Sequence, residues 1–197
     1  MKKLWSCVTQ DHFLLGYNMH LKAQILDSIA VDKALKRLSH EIIENCEDLS
    51  NVVFVGIKRR GIPLAKILSN YVNQFSAVSI PVGELDITLY RDDLSTISDK
   101  AILNDTKIDF DIKDKDVILV DDVIYTGRTI RAAIDGIFKL GRPSRIMLAV
   151  LIDRGHRELP IRGDFVGKNV PTSHHELIAV NIEPVDDKTN VELWGKD

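Results

Sequence analysis

Apolar residues in this chain recur with two different periods, and the alternation between them sketches a fold. Val31, Leu35, Leu38 and Ile42 fall three or four positions apart, which places them on one face of a helix, with Asp27 or Ser28 as its candidate N-cap. Val52–Ile57 is apolar without alternation, the mark of a strand buried on both faces of a parallel sheet. Pro63 suits the first turn of a second helix in which Leu64, Ile67, Leu68, Tyr71 and Phe75 share a face. Val78–Val82 and Leu85–Tyr90 read as strands flanking Gly83. From Tyr90 to Asp105 the chain is rich in Asp, Ser and Thr and too long for an ordinary connection, so a functional flap or disorder is expected there. Val117–Val120 is another buried strand. A helix from Arg128 should stop at Gly141 with Pro143 just beyond, and Arg145–Ile152 supplies a further strand. Strands alternating with helices predict an α/β fold with a central parallel sheet flanked by helices.

Bulk properties narrow the class. A chain of 197 residues that is 45% hydrophobic can bury one good core, so residues 19–197 are expected to form a single domain. Its two cysteines, Cys7 and Cys46, lie far apart and outside any CxxC spacing, which argues against a disulfide framework or zinc site and fits a reducing cytoplasm. No apolar run approaches membrane length. The net charge of −3 neither demands nor forbids a nucleic-acid partner, because clustering of basic residues decides that. Residues 1–18 begin with Lys2 and Lys3, but Asp11 and His12 interrupt any signal-like apolar stretch, so export is not expected. This segment is read as an atypical extension: translation begins at Met19, or the segment is a poorly anchored tail.

The chemistry concentrates in residues 117–129, VILVDDVIYTGRT. A buried strand ends in two carboxylates, Asp121 and Asp122, and then a small-residue turn opens a helix. Ligands in open α/β sheets bind at that strand edge, where a helix N-terminus offers N–H groups to an anion. Thr126, Gly127, Arg128 and Thr129 fit a phosphate cradle, although such a turn also fits plain capping with Thr126 or Thr129 as the N-cap. Neither GxxxxGK[ST] nor GxGxxG is present, which excludes a Walker loop and a dinucleotide fingerprint. Two carboxylates beside such a cradle suit a ligand that joins a phosphate to a vicinal diol.

That segment resembles the signature of type I phosphoribosyltransferases, enzymes that use 5-phosphoribosyl 1-diphosphate (PRPP). Together with VGIKRRGIPLAK at 55–66, VGELDITLYRDDL at 82–94 and LIDRGHRELPIRGDFVGKNVPTS at 151–173, nearly all of 22–197 resembles the bacterial pyrimidine operon attenuation proteins. The resemblance implies a five-stranded core and a small hood built from an amino-terminal strand and residues 154–185. It also implies two activities: transfer of phosphoribose from PRPP to uracil, giving UMP and diphosphate, and binding of pyrimidine operon leader RNA under the control of UMP or UTP.

Roles for residues follow from the resemblance. Asp121 and Asp122 would hold ribose hydroxyls and the water shell of Mg²⁺, an ion that commonly binds through phosphates and few carboxylates. Thr126, Gly127, Arg128 and Thr129 would surround the 5′-phosphate, and Val123 and Tyr125 would belong to the PRPP or UMP site. Lys58, Arg59 and Arg60, with Gly61, would receive the diphosphate, and Arg91 would close over it from the flap. Asp153, Arg154 and Val170 would surround the base. No general base is assigned, since a dissociative transfer relies on positioning and electrostatics. For RNA, the candidates are Lys36, Arg37 and His40 on one helix, Arg59, and His156, Arg157, Arg162 and Lys168 in the hood stretch; Lys36 and Arg59 stand where many family members carry Thr. Dimers or larger homo-oligomers are implied too. Two functions stay open: an attenuator that also catalyses, and a uracil phosphoribosyltransferase without RNA regulation. A purine or orotate enzyme would share only the central motif.

Overall fold

The computed structural model describes residues 19–87 and 106–196. The expectations for the amino-terminal extension, the last residues (88–90) of the Leu85–Tyr90 strand, Arg91 and the flap through Asp105 lie outside the described residues.

Among the described residues, eight strands and three α-helices follow one another as β1 (Met19–Leu26), α1 (Ser28–Asn45), β2 (Val52–Ile57), α2 (Gly61–Ser76), β3 (Val82–Leu85), β4 (Asp116–Ile124), α3 (Arg128–Leu140), β5 (Arg145–Asp153), β6 (Phe165–Asn169), β7 (Glu176–Asn181) and β8 (Asn190–Lys196). They form two sheets. The larger has strand order β3-β2-β4-β5-β6 and every pairing in it is parallel. The smaller, β1-β8-β7, is antiparallel.

The parallel sheet is a sandwich filling because its strands carry apolar side chains on both faces. Phe54, Ile118, Val120 and Ala149 pack toward Leu35, Leu38, Leu64 and Leu68 of α1 and α2, whereas Val55, Val117, Leu119 and Leu148 pack toward Ile130, Ala133 and Ile137 of α3. The first helix starts as its sequence indicates: Asp27 caps it by accepting from the Ala30 N–H at 2.7 Å. In α2, Pro63 sits in the first turn, where its missing N–H costs nothing. The apolar face of that helix is rotated from the predicted one. Leu64, Leu68 and Val72 are buried, while Phe75 is 40% exposed.

Three expectations need correction. A single strand, β3, runs through Gly83, and residues 78–81 are not strand. Gly83 is needed in mid-strand because a Cβ there would lie 2.7 Å from Ile108 Cγ1. The hood is the β1-β8-β7 sheet, so its middle strand lies beyond residue 185. Phe165–Asn169, expected in the hood, pairs with β5 and completes the large sheet, with buried Phe165 joining the core. The hood shares that core through Leu26, Ile178, Val180 and Val191.

Candidate functional site

The carboxyl edge of the parallel sheet gathers three loops. They leave β2, β4 and β5, neighbours in the order β2-β4-β5.

Asp121 and Asp122 lie within β4, not beyond its end as the motif suggested; β4 stays paired with β5 through Ile124↔Asp153. Asp121 is 6% exposed, and its Oδ1 accepts the Asp122 N–H at 3.0 Å, while Asp122 Oδ1 accepts the Val123 N–H at 2.9 Å. Burial, reinforced by the neighbouring Asp122 charge, pushes the Asp121 carboxyl well above the usual carboxylate range. Burial also raises Asp122, against the attraction of the Arg60 guanidinium. A buried and a half-buried carboxyl side by side, both raised by desolvation and Asp121 also by repulsion from its neighbour, are unfavourable unless hydroxyl donors or a cation complete the site.

The turn after β4 is built around Gly127, whose φ of 89° lies in the left-handed region glycine favours. Gly127 is the N-cap of α3, so neither Thr126 nor Thr129 takes that place; Thr126 Oγ1 accepts the Arg128 N–H at 3.3 Å. The first turn of α3 has no acidic residue, and its N-cap glycine has no side chain to offer the helix N–H groups, as an anion cradle requires. The Arg128 side chain pairs with Glu158 Oε2 at 2.9 and 2.7 Å. The loop after β5 braces the cradle: Glu158 and Leu159 donate their N–H groups to the Thr126 carbonyl at 3.0 and 3.1 Å, and Arg154 donates its N–H to the Ile124 carbonyl at 3.2 Å.

The turn after β2 contains a cis peptide between Lys58 and Arg59 and leads into Gly61. A Cβ on Gly61 would lie 2.2 Å from the Val120 carbonyl oxygen and 3.4 Å from Asp121 Cα, so glycine lets this turn press against the acidic strand. Lys58 pairs with Asp86 at 3.5 Å, and Arg59 is exposed. Arg60 is bound to the hood: its Nε and Nη2 donate to Asp186 Oδ2 and Oδ1 at 2.8 and 2.7 Å.

Among the residues expected at the base, Arg154 is 2% exposed. Its guanidinium lies 4.1 Å from the Tyr125 ring and donates to Thr172 Oγ1 and to the Ser173 and Glu176 carbonyls. This side chain fastens the hood. Asp153 likewise holds its own loop, accepting from the Gly155 N–H at 3.0 Å and pairing with Arg157. Buried Val170 donates its N–H to the Asp153 carbonyl at 2.8 Å, keeping β5 and β6 in register at the edge.

A matching family model identifies this arrangement: residues 22–183 match the phosphoribosyl transferase domain. The chain belongs to that family. It is 59% identical over 176 residues to the bifunctional protein PyrR of Clostridium perfringens, covering 89% of this chain and 99% of the relative, and 52% identical over 179 residues to bifunctional protein PyrR of Thermus aquaticus, covering 91% and 99%. The fold is also that of a hypoxanthine-guanine phosphoribosyltransferase from Bacillus anthracis, with TM-score 0.66 at 17% identity over 90% of this chain and 99% of the other.

The basic residues expected to face RNA fall into separate groups. Lys36, Arg37 and His40 are exposed on α1; Lys36 pairs with Asp32 at 2.8 Å, His40 stacks on Phe75 at 4.2 Å, and Arg37 Nη2 donates to the Val166 and Gly167 carbonyls beside Lys168 on β6. His156 and Arg157 sit in the loop after β5, where the His156 ring meets the Thr172 carbonyl and Arg157 donates to the Ile161 carbonyl at 2.8 Å, with Arg162 exposed next to it.

Sequence reasoning missed Asp186 and Glu158. Both are partners of predicted site arginines across 126 and 30 residues. Short-range pattern carries no signal for such pairs.

Proposed function

We propose that the chain transfers 5-phosphoribose from PRPP to uracil, forming UMP and diphosphate, and that it binds pyrimidine operon leader RNA in response to UMP or UTP. The observation that carries the catalytic half is the convergence on one sheet edge of the Asp121–Asp122 pair, the glycine-capped N-terminus of α3 and the glycine-tight turn at 58–61. The regulatory half rests on near-full-length likeness to proteins called bifunctional.

Asp121 and Asp122 would accept hydrogen bonds from the ribose 2- and 3-hydroxyls, whose donors supply what the two carboxylates lack. Backbone N–H groups at the start of α3 would receive the 5′-phosphate, with Thr126, Gly127, Arg128 and Thr129 shaping the cradle and Val123 and Tyr125 walling it. Lys58, Arg59 and the N–H groups of their turn would face the diphosphate, and Arg91 would close over it. The base would lie against the loop carrying Asp153, Arg154 and Val170, read by backbone groups, since both charged side chains are engaged within the protein.

No cluster of three or more His, Cys, Asp or Glu side chains able to hold a metal by itself occurs among the described residues. The two carboxylates at the edge do fit Mg²⁺ that arrives with PRPP, for this ion prefers oxygen ligands and keeps several waters. When bound, the ion neutralises charge on the departing diphosphate.

The decisive experiment combines a uracil-plus-PRPP assay with gel shift of a pyrimidine leader hairpin while UMP is titrated. UMP formation and UMP-enhanced RNA binding are the expected results. Turnover without RNA binding would leave a plain uracil phosphoribosyltransferase; neither result would end the proposal. On the RNA side, Arg157→Ala with Arg162→Ala should flatten the slope of log affinity against log salt by about one to two. An unchanged slope would exclude this loop from the RNA surface.

A further inference from the structure

Arg60 belongs to the turn expected to meet the diphosphate, yet its side chain is held from outside that turn. Asp186 lies 126 residues away in the connection between β7 and β8, and it grips the guanidinium by a two-point fork at 2.8 and 2.7 Å. Both side chains are largely buried, at 22% and 18% exposure. A bidentate fork fixes the direction of a guanidinium as well as its place. The Arg60 charge is also close enough to Asp122 to oppose the effect of burial on that carboxyl.

The Asp186 side of the fork is itself rigidly built. Asp186 Oδ2 accepts the Ile182 N–H at 2.9 Å, and the Val185 and Asp186 N–H groups both donate to the Ile182 carbonyl, at 3.0 and 2.9 Å. Beneath that turn, Asn181 Nδ2 donates to Asn190 Oδ1 at 2.7 Å, and Asn190 donates to Glu192 at 2.8 Å, tying the ends of β7 and β8 together. The Arg60 backbone is anchored separately, because the close approach of Gly61 to the Val120 carbonyl sets where α2 begins. Backbone and side chain of one residue are thus located by two different sheets.

We propose that Asp186 is a positioning residue for phosphoribosyl transfer: the β7–β8 turn is a strut that orients the Arg60 cation beside Asp122 at the diphosphate end of the site. This inference rests on the phosphoribosyl-transfer reading above. A cation fixed in advance needs no ordering when PRPP binds or as charge develops on the departing diphosphate, which is the advantage of electrostatic preorganisation. Exposed Arg59, one residue earlier, lacks such a fork in the described structure and is the natural contrast. The strut also couples the hood to the diphosphate turn, so the base side and the diphosphate side of the site are set by one connection.

The test uses the full chain with Asp186→Asn, Asp186→Glu and the charge swap Arg60→Asp with Asp186→Arg. Each is examined for Mg·PRPP affinity by calorimetry, for KM of PRPP and of uracil separately, and for melting temperature. Losing one charge-assisted fork should raise Kd and KM for PRPP about tenfold in Asp186→Asn, with uracil KM within about twofold and partial recovery in Asp186→Glu. The swap should regain melting temperature without regaining PRPP affinity, since it places a carboxylate beside Asp122. A lower melting temperature with unchanged PRPP affinity in Asp186→Asn would make the pair a structural brace and overturn the proposal, as would a swap that restores PRPP binding. Should Asp186→Asn fail to fold, the Asp186→Glu and Arg60→Lys variants carry the same comparison. If the wild-type chain binds Mg·PRPP but ignores uracil, the uracil reading fails while calorimetry still decides the role of Asp186.

Discussion

Two buried acids, Asp121 at the edge of the parallel sheet and Glu192 in the hood, have the same exposure of 6% and opposite electrostatic fates. Burial works against the charged form of both. For Glu192 that penalty is overcome: Lys188, Asn190 and Trp194 donate to its carboxylate and hold it below the usual carboxylate range. For Asp121 the neighbouring charged group is another carboxyl, so burial and repulsion add, outweigh the hydrogen bond from the Asp122 N–H, and drive the carboxyl up. The hood acid is complete within the chain, whereas in the proposed function the sheet-edge pair would be completed by a ligand. A buried polar group furnished with its own partners maintains structure; one left short of donors marks the place where something binds.

The largest effect on this contrast should come from Asp122→Asn. Removing a charge meant for ribose and the metal shell should lower kcat/KM for PRPP on the order of 10²-fold, the scale for loss of one preorganised electrostatic contact. The same change should raise the melting temperature of the ligand-free protein, because it relieves repulsion within the pair. Unchanged turnover would remove Asp122 from the site. Gly61→Ala comes next. Its new Cβ must displace the Val120 carbonyl or the turn, so stability should fall by about 3 kcal/mol and PRPP affinity with it. Glu192→Gln sharpens the comparison from the hood side: about 1–3 kcal/mol of stability should be lost, with little change in PRPP affinity. Denaturant unfolding of the three variants side by side tests the opposite signs directly.

The smallest effect is the pH dependence of stability, and the two acids should contribute slopes of opposite sign. The Glu192 carboxyl is lower in the folded chain, so its contribution is present above the unfolded carboxylate value of about 4.3 and is lost as pH falls through the folded value. Asp121 is higher in the folded chain, so the folded state holds its proton over a window above the unfolded value of about 3.9, and stability declines as pH rises through that window. Asp121→Asn should therefore flatten the decline across that window, and Glu192→Gln the rise between the folded and unfolded values of Glu192. A decline that persists in Asp121→Asn would place its origin elsewhere.

Local sequence carried much of this molecule. The apolar runs at Val52–Ile57 and Val117–Val120, the Asp27 cap and the Gly141 stop of α3 all appear where period and capping chemistry put them. These are decided by residues a few positions apart, which pattern can read. The segment 78–87 was misread because Gly83 breaks an apolar pattern without breaking the strand: its missing side chain makes room for Ile108 from another part of the chain. The rotated face of α2, with Val72 inside and Phe75 outside, depends on how α1 lies against it.

The sequence by itself determined a parallel sheet buried on both faces, with two carboxylates and a glycine turn at its carboxyl edge, because periodicity, turn chemistry and motif spacing are local properties. Tertiary structure alone decided which charges stay engaged within the protein and which face the cleft. Arg60 and Arg154 read as ligand-binding arginines, and folding brings Asp186 to the first and three hood acceptors to the second. It also puts β6 in the large sheet, where Arg37 of α1 reaches the Val166 and Gly167 carbonyls. The physical reason is that a charge takes its role from the donors, acceptors and solvent within a few ångströms of it, and in a folded chain most of those neighbours come from far along the sequence.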